Sequence, residues 1–290
     1  MTPDQYCQDR TSQSGSSFYY SFLFLPSDQR RAITALYAFC REVDDVVDET
    51  ADPAYARTQL QGWREEIGRL FHGAPQHPVT RALAPMLDRY ELAEEHFLEI
   101  IDGMEMDLDQ NRYADFKELS LYCYRVASVV GMLSTEIFGY EERHTLRYAH
   151  DLGMAFQLTN ILRDVGEDAR RGRVYIPEDE MARFGVTPDD LIRGKDSDAL
   201  RKLFKCQADR ARTFYRAAFS KLPEEDRYRQ RAALIMAAIY LRLLDEIEMQ
   251  GFPVLERRIS VPRWRKLWLA WRTVRHEAAR HRRRLKTRGR

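Results

Sequence analysis

Cysteine is scarce in this 290-residue chain, and its four copies, Cys7, Cys40, Cys123 and Cys206, stand far apart with no CxxC pair. That spacing argues against a clustered-thiol zinc site and a disulfide framework, and it predicts reduced thiols in a cytosol. Long apolar runs are missing as well. Nowhere do about 18 apolar residues follow one another, as a membrane-spanning helix requires, and the opening MTPDQYCQDR lacks the charged-then-apolar pattern of a secretion signal. With 14 glycines and 11 prolines the chain also has fewer breakers than a loop-rich fold uses. Strand-like alternation is almost absent.

Helical periodicity is what remains. It predicts an all-α, single-domain bundle of roughly eight to ten helices over residues 1–260, followed by a basic, Trp-containing helix or tail over 261–290. Ser27 after Pro26 is a candidate N-cap for a long first helix reaching Glu49, with Ile33, Leu36, Cys40, Val43 and Val47 at three- and four-residue steps. The Asp52-Pro53 pair ends it. Further helices are expected at 54–72, 79–109, 117–138, 141–169, 196–221, 226–250 and 262–286. Charge is unevenly spread along them. Residues 257–290 hold 14 Lys or Arg and one acid, Glu277, whereas the preceding 256 residues hold 32 basic and 44 acidic side chains. An acidic body suits cations, and the tail is its basic counterpart.

Two acidic stripes carry the chemistry. In YAFCREVDDVVDE, Tyr37, Arg41, Asp44 and Asp48 fall within about 60° on a helical wheel. Carboxylates one turn apart repel, so this stripe needs either a cation or a solvated face. A solvated helix end would explain one such motif taken alone. A second motif, QLTNILRDVGEDARRGRVYIP, again places Gln157, Asn160, Asp164 and Asp168 on one face, within about 80°, beside apolar Leu158, Ile161, Leu162 and Val165. Two facing carboxylate pairs are what Mg²⁺ uses when it bridges protein to substrate phosphates. Arg41, Arg163, Arg170, Arg171 and Arg173 lie in or near the same segments and could bind a departing diphosphate. In LYCYRVASVVGML, Tyr122, Val126, Val129 and Leu133 share a face, which reads either as core or as a cavity wall ending in a phenol.

These segments resemble the squalene and phytoene synthase family. SGSSFYYSFLFLP, ALYAFCREVDDVVDE, YCYRVASVVG and NILRDVGEDARRGRVYIP occur in the family's order and spacing, from about Ser14 to Arg257. The resemblance implies one helical bundle around a deep apolar cavity, of the isoprenoid synthase type, with aspartates at its mouth. Asp44, Asp48, Asp164 and Asp168 would hold Mg²⁺ with help from Asn160, and Arg41 and Arg163 would contact diphosphate. Ser17, Tyr37, Gln157, Tyr240 and Arg257 are further implied substrate contacts. Tyr122 matches a cavity tyrosine expected to stabilise or deprotonate a carbocation. Many relatives carry His-Ser before the first turn, where this chain has Ser14-Gly15-Ser16-Ser17, so the serine that reaches phosphate stays open.

SGSSFYYSFLFLP and DGMEMDLDQNRY look most like bacterial presqualene diphosphate synthases of hopanoid pathways. The reaction so implied is head-to-head, Mg²⁺-dependent condensation of two farnesyl diphosphates to presqualene diphosphate, in a cytoplasmic enzyme that could hand its product to downstream pathway enzymes. The alternatives are a full, NADPH-dependent squalene synthase, a phytoene synthase acting on geranylgeranyl diphosphate, and, from another class, a non-catalytic helical assembly factor. Intact aspartate pairs argue against the last. In the tail, Trp264, Leu267, Trp268 and Trp271 share one helix side among dense basic residues. Two readings stay open there: peripheral contact with a membrane, or tryptophans docked on the body with the arginines in water. A nucleic-acid partner is not expected, because the acidic body would repel phosphates.

Overall fold

The computed structural model describes residues 1–13, 18–50, 52–194 and 196–288. Among them the chain forms fourteen α-helices and no strand, with one isolated parallel bridge between Arg112 and Val174. In chain order these are α1 (Pro3–Gln13), α2 (Phe18–Phe22), α3 (Ser27–Glu49), α4 (Pro53–Phe71), α5 (Pro78–Leu83), α6 (Glu94–Asp109) and α7 (Phe116–Cys123). There follow α8 (Val129–Phe138), α9 (His144–Arg170), α10 (Glu178–Arg183), α11 (Pro188–Arg193), α12 (Asp198–Lys221), α13 (Arg231–Met249) and α14 (Arg263–Arg288).

The count exceeds the eight to ten expected because α1, α2, α5, α10 and α11 are too short for periodicity to reveal. The long helix expected at 79–109 is in fact α5 and α6, with 3₁₀ turns at Ala84–Met86 and Asp88–Tyr90 between them. Pro85 cannot continue an α-helix, and Glu91 sits in the left-handed region at φ 50°, which reverses the chain. Ser27 is the first helical residue of α3 rather than its cap. Pro26 holds the cap position without a side-chain bond. Asp52 caps α4 by accepting from Ala54 N, with Pro53 at the first helical position.

Two apolar clusters meet at the centre. One joins α9, α12 and α13 through residues such as Leu158, Leu162, Phe204, Tyr215 and Ile239. The other joins α3 to α6 and α8 through Leu36, Phe39, Phe97, Ile100 and Leu133. Phe18, Val126 and Ala233 touch both. Between α7 and α8, Tyr124–Ser128 form a turn of π-helix. It packs against α9 at Gly153, where an added Cβ would lie 2.5 Å from Ser128 Cα and 2.7 Å from Ala127 O. Only a glycine permits that approach, which brings α9 close to the wall of the central cavity.

Candidate active site

α3 and α9 place their polar stripes on opposite sides of one open chamber of about 770 Å³. Tyr37, Arg41, Asp44 and Asp48 come from α3, and Gln157, Asn160, Arg163, Asp164 and Asp168 from α9. The apolar backs of both helices explain the arrangement. Val43 and Val47 of α3, and Leu158, Leu162 and Val165 of α9, are buried, which turns the aspartates inward to the chamber between them. Tyr122 from α7, Tyr240 from α13, and Arg171 and Arg173 just beyond α9 complete the predicted residues that line it.

Other predicted contacts fall elsewhere. Arg170, also expected to meet diphosphate, is absent from the lining, and its Nη1 donates to Leu255 O at 3.2 Å instead. Ser17 lies outside the described residues. Arg257 does not line the chamber: its guanidinium donates to Gln250 Oε1 at 2.9 Å at the surface. Its neighbour Arg258 turns in instead, with Nε 2.9 Å from Asp164 Oδ1. Adjacent side chains in this irregular segment diverge, so the motif located the arginine pair but not the member that faces the site.

Beneath the mouth, an apolar cavity of about 190 Å³ is lined by Phe22, Ile33, Leu36, Val126, Val130 and Phe156, among others. Phe18, Tyr37, Gln157 and Asn160 line both spaces, so cavity and chamber adjoin across these four side chains. The wall expected from Tyr122, Val126, Val129 and Leu133 is displaced. Val129 and Leu133 are buried in the core, and Val130 and Ser134 face the cavity. The π turn at Tyr124–Ser128 is the cause, since its extra residue rotates the following face by one position.

Electrostatics at the mouth are unusual for a folded protein. Arg173 Nη1 reaches across from beyond α9 to Asp48 Oδ1 at 2.7 Å, and Arg171 approaches the same carboxylate at 3.6 Å. Arg163 Nε donates to Asp164 Oδ1 at 2.8 Å, and Arg41 Nη1 to Asp44 Oδ2 at 2.8 Å. These forks do not satisfy every carboxyl. Burial pushes Asp44 up to about 7, with Asp48 adding to the rise and Arg41 opposing it. Burial and then Asp164 push Asp168 up to about 7, against Arg173. Asp45, the middle acid of the α3 motif, is turned aside to α1, where Arg10 Nη2 holds it at 2.6 Å.

Sequence reasoning missed Asp107 and Tyr175. Tyr122 and Tyr175 stack with ring centroids 5.0 Å apart, and both hydroxyls donate to Asp107, at 3.0 and 2.8 Å. Burial lifts Asp107 to about 6 despite Arg173 and the two phenol bonds. Burial also raises Tyr122 well above its ordinary value, so its hydroxyl stays protonated. Asp107 sits among Asp102, Glu105 and Asp109, and nothing in that run of acids marks it out. Lys266 of α14 also lines the chamber.

Among the described residues no three carboxylate, imidazole or thiol groups converge into a closed metal cage. Each rim offers a pair. The buried Asn160 Oδ1 lacks a hydrogen-bond partner among the described residues. An all-oxygen donor set, two carboxyls with raised affinity for protons and an orphaned amide oxygen together suit a hard divalent cation with an open coordination sphere.

Comparison with known proteins agrees with this geometry. Residues 11–265 match the family model described as squalene/phytoene synthase. A 15-cis-phytoene synthase from Synechococcus elongatus is 39% identical over 279 residues, covering 90% of this chain and 89% of its own. Among solved structures, a dehydrosqualene synthase in complex with ligand superposes with a TM-score of 0.84 at 29% identity, over 96% of this chain and 97% of its own. The squalene synthase HpnC from Alicyclobacillus acidocaldarius gives 0.78 at 28% identity, over 86% and 94%. With its fold and most of its length in common with these enzymes, the chain belongs to the squalene/phytoene synthase family.

Proposed function

We propose that the chain joins two allylic isoprenoid diphosphates head to head, with Mg²⁺ as cofactor. The observation that carries this reading is a doubly acidic, arginine-rich mouth set against an apolar cavity with which it shares Phe18, Tyr37, Gln157 and Asn160. Asp44, Asp48, Asn160, Asp164 and Asp168 are the residues that would hold the ions. When bound, Mg²⁺ neutralises and polarises a leaving diphosphate.

The chain's own groups do the rest. One substrate's C1–O bond breaks and the diphosphate departs with the electron pair, into the reach of Arg41, Arg163, Arg173 and Arg258. The 2,3 double bond of the second substrate forms the new carbon–carbon bond at the freed C1. Loss of a proton closes a cyclopropane, and the second diphosphate stays on the product. The apolar lining excludes water that would trap the cation as an alcohol. Tyr122, oriented by Asp107, offers the cation its π face; the proton goes to the departed diphosphate, or to the Tyr122 oxygen as the phenol passes its own proton along its hydrogen bond to Asp107.

Two chain lengths divide the relatives. The motif resemblance puts farnesyl diphosphate and presqualene diphosphate first. The 39% identical 15-cis-phytoene synthase reverses that order and favours the longer geranylgeranyl diphosphate. Likeness to a dehydrosqualene synthase keeps the farnesyl-length reaction as the second reading. The experiment is incubation of purified protein with each diphosphate and Mg²⁺, with and without NADPH, followed by mass analysis. Phytoene from the longer substrate supports the first reading. Presqualene diphosphate or dehydrosqualene from the shorter one establishes the second, and squalene only with NADPH makes the protein a full squalene synthase. No condensation from either substrate refutes the proposal.

A further inference from the structure

α14 is an amphipathic helix with its apolar face outward. The inward face is fixed: Ala270 is fully buried, the buried Glu277 pairs with Arg227 at 2.8 Å, and His281 stacks on Tyr228 with centroids 4.8 Å apart. Arg280 and Arg284 pair with Glu224 and Glu225. On the opposite side Trp264, Trp268 and Trp271 are 65, 47 and 49% exposed, with exposed Leu267 beside them. This reverses the reading in which the tryptophans dock on the body. Register is the reason, because positions 266, 270, 277 and 284 share one helix face and 264, 268, 271 and 275 the other.

Basic charge shares the outward face. Arg272 and Arg275 lie 5.3 and 4.8 Å from the ring centroids of Trp268 and Trp271. Together with Arg282 they pair with no acid among the described residues, unlike the arginines turned to the body. The helix also starts at the chamber, whose lining includes Ile259, Ser260, Val261 and Lys266. α2 packs against it and adds exposed Tyr19 and Leu23.

We propose that this face docks on an anionic lipid surface and holds the chamber mouth beside the membrane. Indole rings settle at the water–lipid interface, and unpaired guanidinium groups meet lipid phosphates there. A two-fold contact with a second copy would set the arginine stripe against itself, which like charges oppose. On the reading of function above, docking would let apolar chains pass between bilayer and cavity. The docking itself is measured without turnover.

The test is co-sedimentation of the full-length chain with phosphatidylcholine vesicles, with and without phosphatidylglycerol, together with tryptophan emission. Wild type is expected to bind the anionic vesicles about tenfold more tightly than the neutral ones, with a blue-shifted emission, and to be released by high salt. The triple variant Trp264→Ser/Trp268→Ser/Trp271→Ser and the pair Arg272→Glu/Arg275→Glu should each weaken that binding about tenfold while circular dichroism stays unchanged. Sedimentation velocity without lipid should show the same monomer or oligomer for wild type and the triple variant. Vesicle binding unaltered by either set, or no preference for anionic lipid, overturns the proposal. So does a wild-type oligomer that the triple variant dissolves, which would make the face a contact between copies.

Discussion

Fully buried carboxylates in the body and half-buried ones at the chamber mouth behave in opposite ways. Glu66 is buried between α4 and α5, where Gln76 N, His77 N, the Thr80 hydroxyl and Arg69 all donate to it. Burial alone would raise it, but those donors outweigh burial and hold it below its usual range. Asp226, fully buried, accepts from Glu141 N at 2.6 Å, Glu142 N at 3.1 Å and the Thr145 hydroxyl at 2.6 Å. At the chamber mouth, Asp44 and Asp168 are crowded by acids and short of donors, and both are pushed up to about 7. The fold can satisfy a buried carboxylate when it needs one for stability. Where it leaves Asp44 with Arg41 alone and crowds Asp168 with acids, the function proposed above would bring the further partners with the substrate.

Substitutions that separate the two sets should have the largest effects. Asp44→Ala and Asp164→Ala are each expected to cut turnover on the order of 10³-fold or more, with circular dichroism and melting close to wild type, because both side chains face the chamber. Near wild-type turnover in either would end the two-rim account. Asp226→Ala should do the reverse. It strands two backbone amides and a hydroxyl, which costs about 3 kcal/mol in urea unfolding, while the folded fraction keeps its specific activity. A loss of activity in fully folded Asp226→Ala protein would blur the distinction.

The arginines give a finer comparison. Arg258→Ala removes a fork from Asp164 and from any bound diphosphate, and should raise KM about tenfold. Arg257→Ala, whose partner is Gln250 at the surface, should stay within about twofold. Equal effects would return Arg257 to the site.

Stability against pH carries the smallest signal, and its sign differs between the sets. For Asp44 and Asp168 in metal-free protein, the folded value of about 7 lies above an unfolded value of about 4. The folded state therefore holds more protons across that window, and this contribution to stability falls as pH rises through it. Glu66, held low, contributes stability above its unfolded value and loses it as pH falls through its folded one. In urea titrations, Asp44→Asn/Asp168→Asn should gain stability relative to wild type between about pH 6 and 8. No gain would mean that the mouth is already compensated.

Much of this was legible in the sequence for identifiable reasons. The long helices α3, α9, α12 and α13 announce themselves because each buries one apolar stripe, and the aspartates one turn apart on α3 and α9 mark the chamber side. Asp107 was invisible because its partners, Tyr122 and Tyr175, lie 15 and 68 residues away. The displaced cavity wall depended on a π turn that no residue pattern announced. On α14 the tryptophan stripe was plain, but only the fixed inner face of Ala270 and Glu277 shows that the stripe points outward.

The central claim is that the mouth carboxylates await a divalent cation and a diphosphate together. Isothermal titration of inorganic pyrophosphate, with and without Mg²⁺, into wild type and Asp44→Asn/Asp168→Asn tests it most directly. The account predicts binding by wild type that is at least about tenfold tighter with Mg²⁺, and loss of that Mg²⁺ dependence in the double variant. Pyrophosphate binding that is equally tight without Mg²⁺, and unchanged in the double variant, would show that the arginines alone take the diphosphate and would contradict it.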